Sequence, residues 1–327
     1  MKKRLKILDR IIHELKTAKH IAIAGHMRPD GDCIGSQLAV AYAVKSLGKK
    51  VSVLNEDVMP KKLAFLDPGK ILKSPNKPVE YDSVVVTDCA SYERMGAVGE
   101  AISKRSTLIN IDHHASNSRY GDINWIDPSS ASSGELIFRL IKQANWKITP
   151  SIADCLFTAI STDTGSFQYA TTRPSTYHIA AELVERGANV GRICEEVYQS
   201  HPLSRVKLLR HVYNSFKLIE KNQIAYFWIR KVDYKRARAL PDESEGLIDH
   251  IRDIEGVKVA CLFEEIEPEV TRISFRSKLP KLDVSTIAVS FGGGGHQSAA
   301  GVRVTGKQQT LQRKVLYALK EALAKIE

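Results

Sequence analysis

Apolar side chains recur at three- and four-residue spacing near the start of the chain. Leu5, Leu8, Ile12 and Leu15 form one stripe with Lys and Arg between them, which predicts an amphipathic helix over residues 4–19. A short apolar run at 21–24 ends in a glycine-containing loop, and a helical pattern resumes over 34–47. Residues 51–54 read as a strand, as does the β-branched run Val84-Val85-Val86, and a further run at 108–111 leads into Asp112. Strands alternating with helices predict a doubly wound, mainly parallel α/β sheet. Helical patterns then fill 134–146, 151–162 and 175–186. A second strand series starts at Ile224 (IAYFWI) and continues with VKVACLF from Val257 and TRISFRS from Thr271. Four glycines, Gly292 to Gly295, follow, and a final helix is expected over 307–326. Four glycines in a row fit neither a helix nor a strand well, so a turn is expected there.

The length, 327 residues, is that of two domains. We expect a larger domain at 1–190, a helical linker at 191–215 and a smaller α/β domain at 216–327, with a cleft between the domains. Hydrophobic residues at 43% and charged residues at 26% exclude disordered and collagen-like chains. The five cysteines, Cys33, Cys89, Cys155, Cys194 and Cys261, include no C-x-x-C pair. That argues against a disulfide framework or zinc finger and favours a reducing compartment. No run approaches the roughly 18 apolar residues of a membrane span, so a soluble cytoplasmic protein without a membrane partner is expected. The formal charge of +11 favours anionic partners. Charge is uneven: residues 201–240 carry ten basic and two acidic side chains, whereas 241–270 carry ten acidic and two basic ones. The basic segment is either a solvated face or the border of a nucleic-acid groove.

Chemistry concentrates after three of the predicted strands. The first is followed by His26-x-x-x-Asp30-x-Asp32, the second by Asp88 and the third by Asp112-His113-His114. In an open parallel sheet the carboxyl ends of the strands share one edge, where ligand sites form, so these groups should converge. Imidazoles mixed with several carboxylates suit manganese, magnesium or iron(II) better than structural zinc. The excess of carboxylates suggests two ions, the usual clamp for phosphoryl transfer. Alone, Asp112 reads equally as a helix cap or turn residue, and Arg28 as an exposed loop arginine or a phosphate contact. Phe167 and Tyr169 read as core residues or as surfaces for stacking on a base.

Together these motifs resemble the DHH phosphoesterases. His26-x-x-x-Asp30-Gly31-Asp32 is similar to the family's first motif, Asp88 to the second, Asp112-His113-His114 to the third, and Asp163 in STDTGSF to the fourth. Gly293-Gly294-Gly295-His296, followed by Ala299-Ala300-Gly301, resembles the signature of the DHHA1 module. The resemblance implies two Mn2+ ions per chain, with Mg2+ or another divalent metal as a substitute. His26 and Asp30 would hold one ion and Asp32 and His113 the other, with Asp88 bridging and Asp163 completing the set. His114 would face the scissile phosphate and Asp112 would orient a ligand imidazole. Arg28, Arg276, Ser277, Gly293, Gly294, Gly295 and His296 would bind substrate. A compact DHH–DHHA1 chain most resembles those members that degrade short RNA and DNA oligonucleotides to nucleoside 5'-monophosphates and convert 3'-phosphoadenosine 5'-phosphate (pAp) to AMP. Alternatives are hydrolysis of linear or cyclic dinucleotides (pApA, pGpG, cyclic-di-AMP), RecJ-like exonuclease action, or nucleotide or RNA binding without catalysis. A homodimer is left open.

Overall fold

The computed structural model describes residues 2–75 and 77–326, with side chains from Lys6 onward. Leu5 of the first stripe therefore lies outside the described side chains. The chain divides into two compact units, Met1–Ser200 and His201–Glu327.

The first unit is built on strands β1 (His20–Ala24), β2 (Lys50–Leu54), β3 (Leu72–Lys73), β4 (Tyr81–Thr87), β5 (Arg105–Asp112) and β6 (Ile123–Ile126). Its helices are α1 (Lys2–Thr17), α2 (Gly31–Lys45), α3 (Ala97–Ala101), α4 (Ser133–Gln143), α5 (Pro150–Asp163), α6 (Pro174–Glu185) and α7 (Val190–Cys194). The sheet order is β3-β2-β1-β4-β5-β6 with every pairing parallel. Successive strand residues point to opposite faces, and here both faces are buried. Ile21, Ile23, Val85, Ile109 and Ile111 enter one core with α1, α2, α4 and α5, while Ala22, Ala24, Val84, Val86 and Leu108 enter the other with Val98 of α3. That is why these strands read as continuous apolar runs. Strand order reverses between β1 and β4, which makes their carboxyl ends the switch point where such sheets bind ligands.

Helix α2 begins at Gly31, three residues before the start that the apolar pattern predicts at Ile34. The Asp30 side chain caps it by accepting the Cys33 N–H at 3.0 Å, so Asp32 lies in the first helical turn. Helix α2 crosses α5 so closely that a Cβ on Gly35 would stand 2.3 Å from the Cys155 carbonyl oxygen.

In the second unit, strands β7 (Lys217–Ile219), β8 (Ile224–Ile229), β9 (Val259–Glu267), β10 (Val270–Ser277), β11 (Gly294–His296) and β12 (Ala299–Thr305) form a sheet ordered β11-β12-β10-β9-β8-β7. Only β8 and β9 pair in parallel. Helices α8 (Leu203–Ser215), α9 (Lys231–Ala237) and α10 (Leu247–Arg252) close one face, and α11 (Val284–Ser290) and α12 (Gln308–Ala324) the other. Alternate residues serve the two cores: Val259, Cys261 and Phe263 of β9 face α11 and α12, and Ala260 and Leu262 face the opposite layer. The stretch 191–215 is shared between the units. Ile193 and Val197 enter the first unit's core, whereas Leu208 and Val212 of α8 enter the second's.

The glycine run departs from expectation. Gly294 and Gly295 are not in a turn but in edge strand β11, a hairpin partner of β12 with Gly294 opposite Gly301 and Gly295 opposite Ala300. Gly295 has φ +141°, and a Cβ there would meet the Ala299 carbonyl oxygen at 2.6 Å, so the strand needs glycine for its close approach. No helix among the described residues is long and apolar enough to cross a membrane.

Candidate metal centre

Strands β1, β4 and β5 are neighbours, and each delivers candidate ligands at the same edge. His26 follows β1, Asp88 follows β4, and Asp112 ends β5 ahead of His113 and His114. Asp163 arrives on the last turn of α5 and Asp32 on the first turn of α2. Asp88 has φ +54°, a strained backbone for a residue with a side chain. Its N–H donates to the Ile111 carbonyl at 3.0 Å, which fixes it against β5.

Asp88 is the hub. One carboxylate oxygen, Oδ2, lies 3.3 Å from His26 Nε2; the other, Oδ1, lies 3.6 Å from His113 Nε2 and 3.7 Å from His114 Nδ1. His26 Nε2 is also 3.9 Å from Asp30 Oδ1. His113 Nε2 is 3.8 Å from Asp32 Oδ2 and 3.3 Å from Asp163 Oδ2. All six separations exceed a good N–H···O bond, about 2.7–3.2 Å. Three of them, His26–Asp88 at 3.3 Å, His113–Asp163 at 3.3 Å and His113–Asp88 at 3.6 Å, suit two donors on one ion: at about 2.1 Å from the metal and angles of about 90–120°, two ligand atoms stand about 3.0–3.6 Å apart. His26 is also oriented for coordination. Its Nδ1 lies 2.7 Å from the Met27 carbonyl oxygen, which leaves Nε2 as the ring nitrogen that faces Asp88 and Asp30.

The electrostatics ask for cations. Burial, and then the charge of Asp88, push both the Asp32 and Asp163 carboxyls well above the usual carboxylate range, with further repulsion from Asp30. Burial alone would raise Asp88 too, but the His26 hydrogen bond and the fields of His114, His26 and His113 outweigh it and hold Asp88 far below that range. A buried cluster this rich in carboxylates is costly to ionise without positive charge among them. The oxygen-rich set with imidazole fits a hard divalent cation of the manganese or magnesium type.

Asp112 is fully buried and caps no described helix. Its Oδ1 sits 2.7 Å from His114 Nδ1 and accepts the His113 backbone N–H at 2.9 Å. The imidazole it orients is thus His114, rather than one of the proposed ligand histidines. Asn117 Nδ2 donates to Asp112 Oδ2 at 2.6 Å and to Asn110 Oδ1 at 2.8 Å, locking the carboxylate.

Sequence reading missed the groups that hold the ligands. Ser133 and Gly134, at the start of α4, donate their backbone N–H groups to Asp32 at 2.7 and 2.8 Å, and the Ser133 hydroxyl donates to Asp88 Oδ1 at 3.1 Å. The available signal was the capping pattern Ser132-x-x-Glu135, whose Ser132 hydroxyl accepts the Glu135 N–H at 3.2 Å. Cys33 was also passed over: its Sγ falls within 4.8 Å of donor atoms on both His26 and Asp88. Burial raises its thiol, which keeps it protonated beside the carboxylates.

The other expected residues are distributed as follows. Arg28 is exposed, with φ +55° and its N–H donated to Asp57 at 2.6 Å. In the second unit, Arg276 lies on β10 with Nε 3.5 Å from Asp249 Oδ1. The Ser277 hydroxyl is engaged with both the N–H and the carbonyl of Leu279. Gly293, Gly294, Gly295 and His296 lead into and form β11, and Gly294 has open space around its α-carbon. The basic side chains Lys207, Arg210, Lys231, Lys235 and Arg236 are on exposed faces of α8 and α9.

Comparison with known proteins agrees with the architecture. The DHH family, N-terminal domain, matches residues 20–160, and the DHHA1 domain matches 209–325. A protein of Thermus thermophilus named bifunctional oligoribonuclease and PAP phosphatase NrnA is 30% identical over 310 residues, covering 93% of this chain and 90% of that one. A protein of the same name from Bacillus subtilis is 27% identical, covering 90% and 92%. The crystal structure of an exopolyphosphatase-related protein from Bacteroides fragilis superposes with a TM-score of 0.87 at 26% identity, covering 98% of this chain and 96% of that one.

Proposed function

Since the chain belongs to the DHH family and carries a DHHA1 domain, we propose that it is a two-metal phosphoesterase that shortens oligonucleotides to nucleoside 5'-monophosphates and converts pAp to AMP. The observation that carries this reading is Asp88, whose two oxygens face different imidazoles across adjacent strand ends. That is the disposition of a carboxylate shared between two ions.

His26 and Asp30 would hold one ion, Asp32 and His113 the other, with Asp88 common to both and Asp163 completing the set. The proposed ions are manganese. Bound divalent ions supply an activated water near neutral pH and neutralise the phosphoryl oxygens. The chain's own part is to fix the donors. Ser133 and Gly134 hold Asp32 in place, and Ser133 holds one oxygen of Asp88. Asp112 holds His114 by its Nδ1 and so fixes the ring for proton transfer with a leaving oxygen. Arg28 and, in the second unit, Arg276, Ser277, Gly293, Gly294, Gly295 and His296 are proposed to bind the substrate's phosphates. The five free cysteines fit a reducing compartment, the cytoplasm.

Asp88→Ala and His113→Ala, each shown to be folded by circular dichroism, should lose most manganese-dependent hydrolysis of a ribodinucleotide and of pAp. Wild-type turnover in either folded variant would overturn the assignment. Rates on pAp, a linear dinucleotide and a cyclic dinucleotide define the substrate.

A further inference from the structure

The segment after Asp163 contains three consecutive residues in the left-handed region, Gly165, Ser166 and Phe167, with φ of +57°, +59° and +65°. Two of them carry side chains, for which this backbone is unfavourable. Hydrogen bonds hold it: Ser166 N–H to the Ser161 carbonyl at 2.7 Å, Phe167 N–H to Thr164 Oγ1 at 3.0 Å, and Gln168 N–H to the Thr164 carbonyl at 2.9 Å. The result is to turn the Phe167 ring back between Phe157, at 5.8 Å, and Tyr177, at 5.6 Å. Phe167 and Tyr177 are stacked, with their planes 24° apart. The Tyr177 hydroxyl donates to the Phe167 carbonyl at 3.3 Å, and its residue is 56% exposed. A tyrosine ring backed by a second ring and open to solvent is a surface on which another flat ring can stack.

Two tethers bind this surface to the metal centre. Phe167 is four residues beyond Asp163, whose Oδ2 lies 3.3 Å from His113 Nε2. On the other side, Thr176, next to Tyr177, donates its hydroxyl to Glu135 Oε1 at 2.6 Å. Glu135 is in the same helical turn as Ser133, which holds Asp88. The stacked pair is thereby tied to Asp163 along the chain and to the Ser133–Glu135 turn through Thr176. Arg173, exposed at the N-cap of α6, is one helical turn before Tyr177, whose N–H its carbonyl accepts at 3.3 Å.

We propose that Tyr177, supported by Phe167, is the stacking surface for a nucleobase of the substrate. This rests on the phosphoesterase reading and adds the base to the phosphate as something the first unit recognises. The left-handed turn is then the device that aims Phe167, and Phe167 the buttress that sets the tilt of Tyr177.

The test compares Tyr177→Ala and Tyr177→Trp with the wild type, measuring manganese-dependent hydrolysis and equilibrium binding of a ribodinucleotide and of its abasic counterpart. Tyr177→Ala should raise KM and Kd for the base-bearing dinucleotide roughly tenfold to hundredfold, with kcat nearly unchanged. Tyr177→Trp should restore both, and the abasic compound should bind all three proteins alike. A Tyr177→Ala protein with KM and Kd within twofold of wild type overturns the inference, as does an equal loss on the abasic compound. Failure of the phosphoesterase reading looks different: the wild type would turn over neither compound while Tyr177→Ala still weakened binding of the base-bearing dinucleotide alone, which upholds the stacking surface. A wild type that binds neither overturns both.

Discussion

Ser133→Ala isolates the hydroxyl that holds Asp88, the hub of the proposed metal centre. It removes one bond, from Ser133 Oγ to Asp88 Oδ1 at 3.1 Å, and leaves the Ser133 and Gly134 N–H groups on Asp32 because they belong to the backbone. Ser133 is fully buried, and alanine occupies the same space without its oxygen. The helix cap is Ser132, so α4 keeps its start. A hydrogen bond to a charged acceptor contributes about 1.5–3 kcal/mol, which at about 1.4 kcal/mol per factor of ten is about a ten- to hundredfold change in affinity. That is also the usual effect of removing a group that orients a metal ligand. Calorimetric titration of the chelator-stripped protein with MnCl2 should show manganese affinity reduced by that factor. The manganese concentration for half-maximal dinucleotide hydrolysis should rise in parallel, with most of the rate recovered at saturation. Melting in chelator should change by only a few degrees. The reasoning is refuted if manganese affinity stays within twofold of wild type, or if the variant fails to fold without metal, since the hydroxyl would then serve the helix and not the ligand.

Three further outcomes follow from the same structure. Burial raises the thiols of Cys33, Cys155 and Cys261 and pushes Cys89 up to about 12, while Cys194 alone is partly exposed; iodoacetamide at pH 8 should modify Cys194 first in the native protein and all five thiols in denaturant, as read by mass spectrometry. Arg272→Met should lower the stability of the second unit by about 3 kcal/mol in urea melts, because it strands buried Glu264 directly across from it on β9 with only the Tyr234 hydroxyl as partner; Arg272→Met with Glu264→Leu should recover most of that loss. The Asp82 carboxylate accepts the His20 and Lys19 N–H groups, which hold its pKa below the unfolded value of about 3.9. Its stabilising contribution is complete above that value and lost as the pH falls through the folded one, so Asp82→Ala should flatten the acid limb of a stability–pH curve below pH 4.

What was legible in the sequence is what local pattern encodes. Asp112 stands directly after an apolar run and His26 and Asp88 one residue further from theirs, and parallel strands expose their carboxyl ends on one edge, so convergence followed from topology alone. The start of α2 was misplaced because its first turn carries Gly31 and Asp32 in place of apolar residues; the Asp30 cap, not periodicity, sets that boundary. The seven-residue α9 and α11 and the six-residue α10 are too short to establish a period, and β12 (AAGVRVT) opens on small residues with little apolar contrast. Strand β11 was hidden for a physical reason: glycine is a poor strand former, and at Gly295 it is used because the backbone of β12 lies too close for a side chain.

The supports of the metal centre were illegible for a different reason. Asp32 and its backbone donors are 101 and 102 residues apart, and Ser133 and Asp88 are 45 apart. Nothing in the local pattern of either partner implies the other. They meet because α2 and α4 both pack on the core face that holds Val85 and Ile109. The proposed ligands can therefore be read as a motif, while their geometry is a property of how two helices dock on one sheet. Loosening that docking should act on metal affinity before it acts on the fold. A cavity at Leu136, fully buried in α4 one turn from Ser133, is where that order would show.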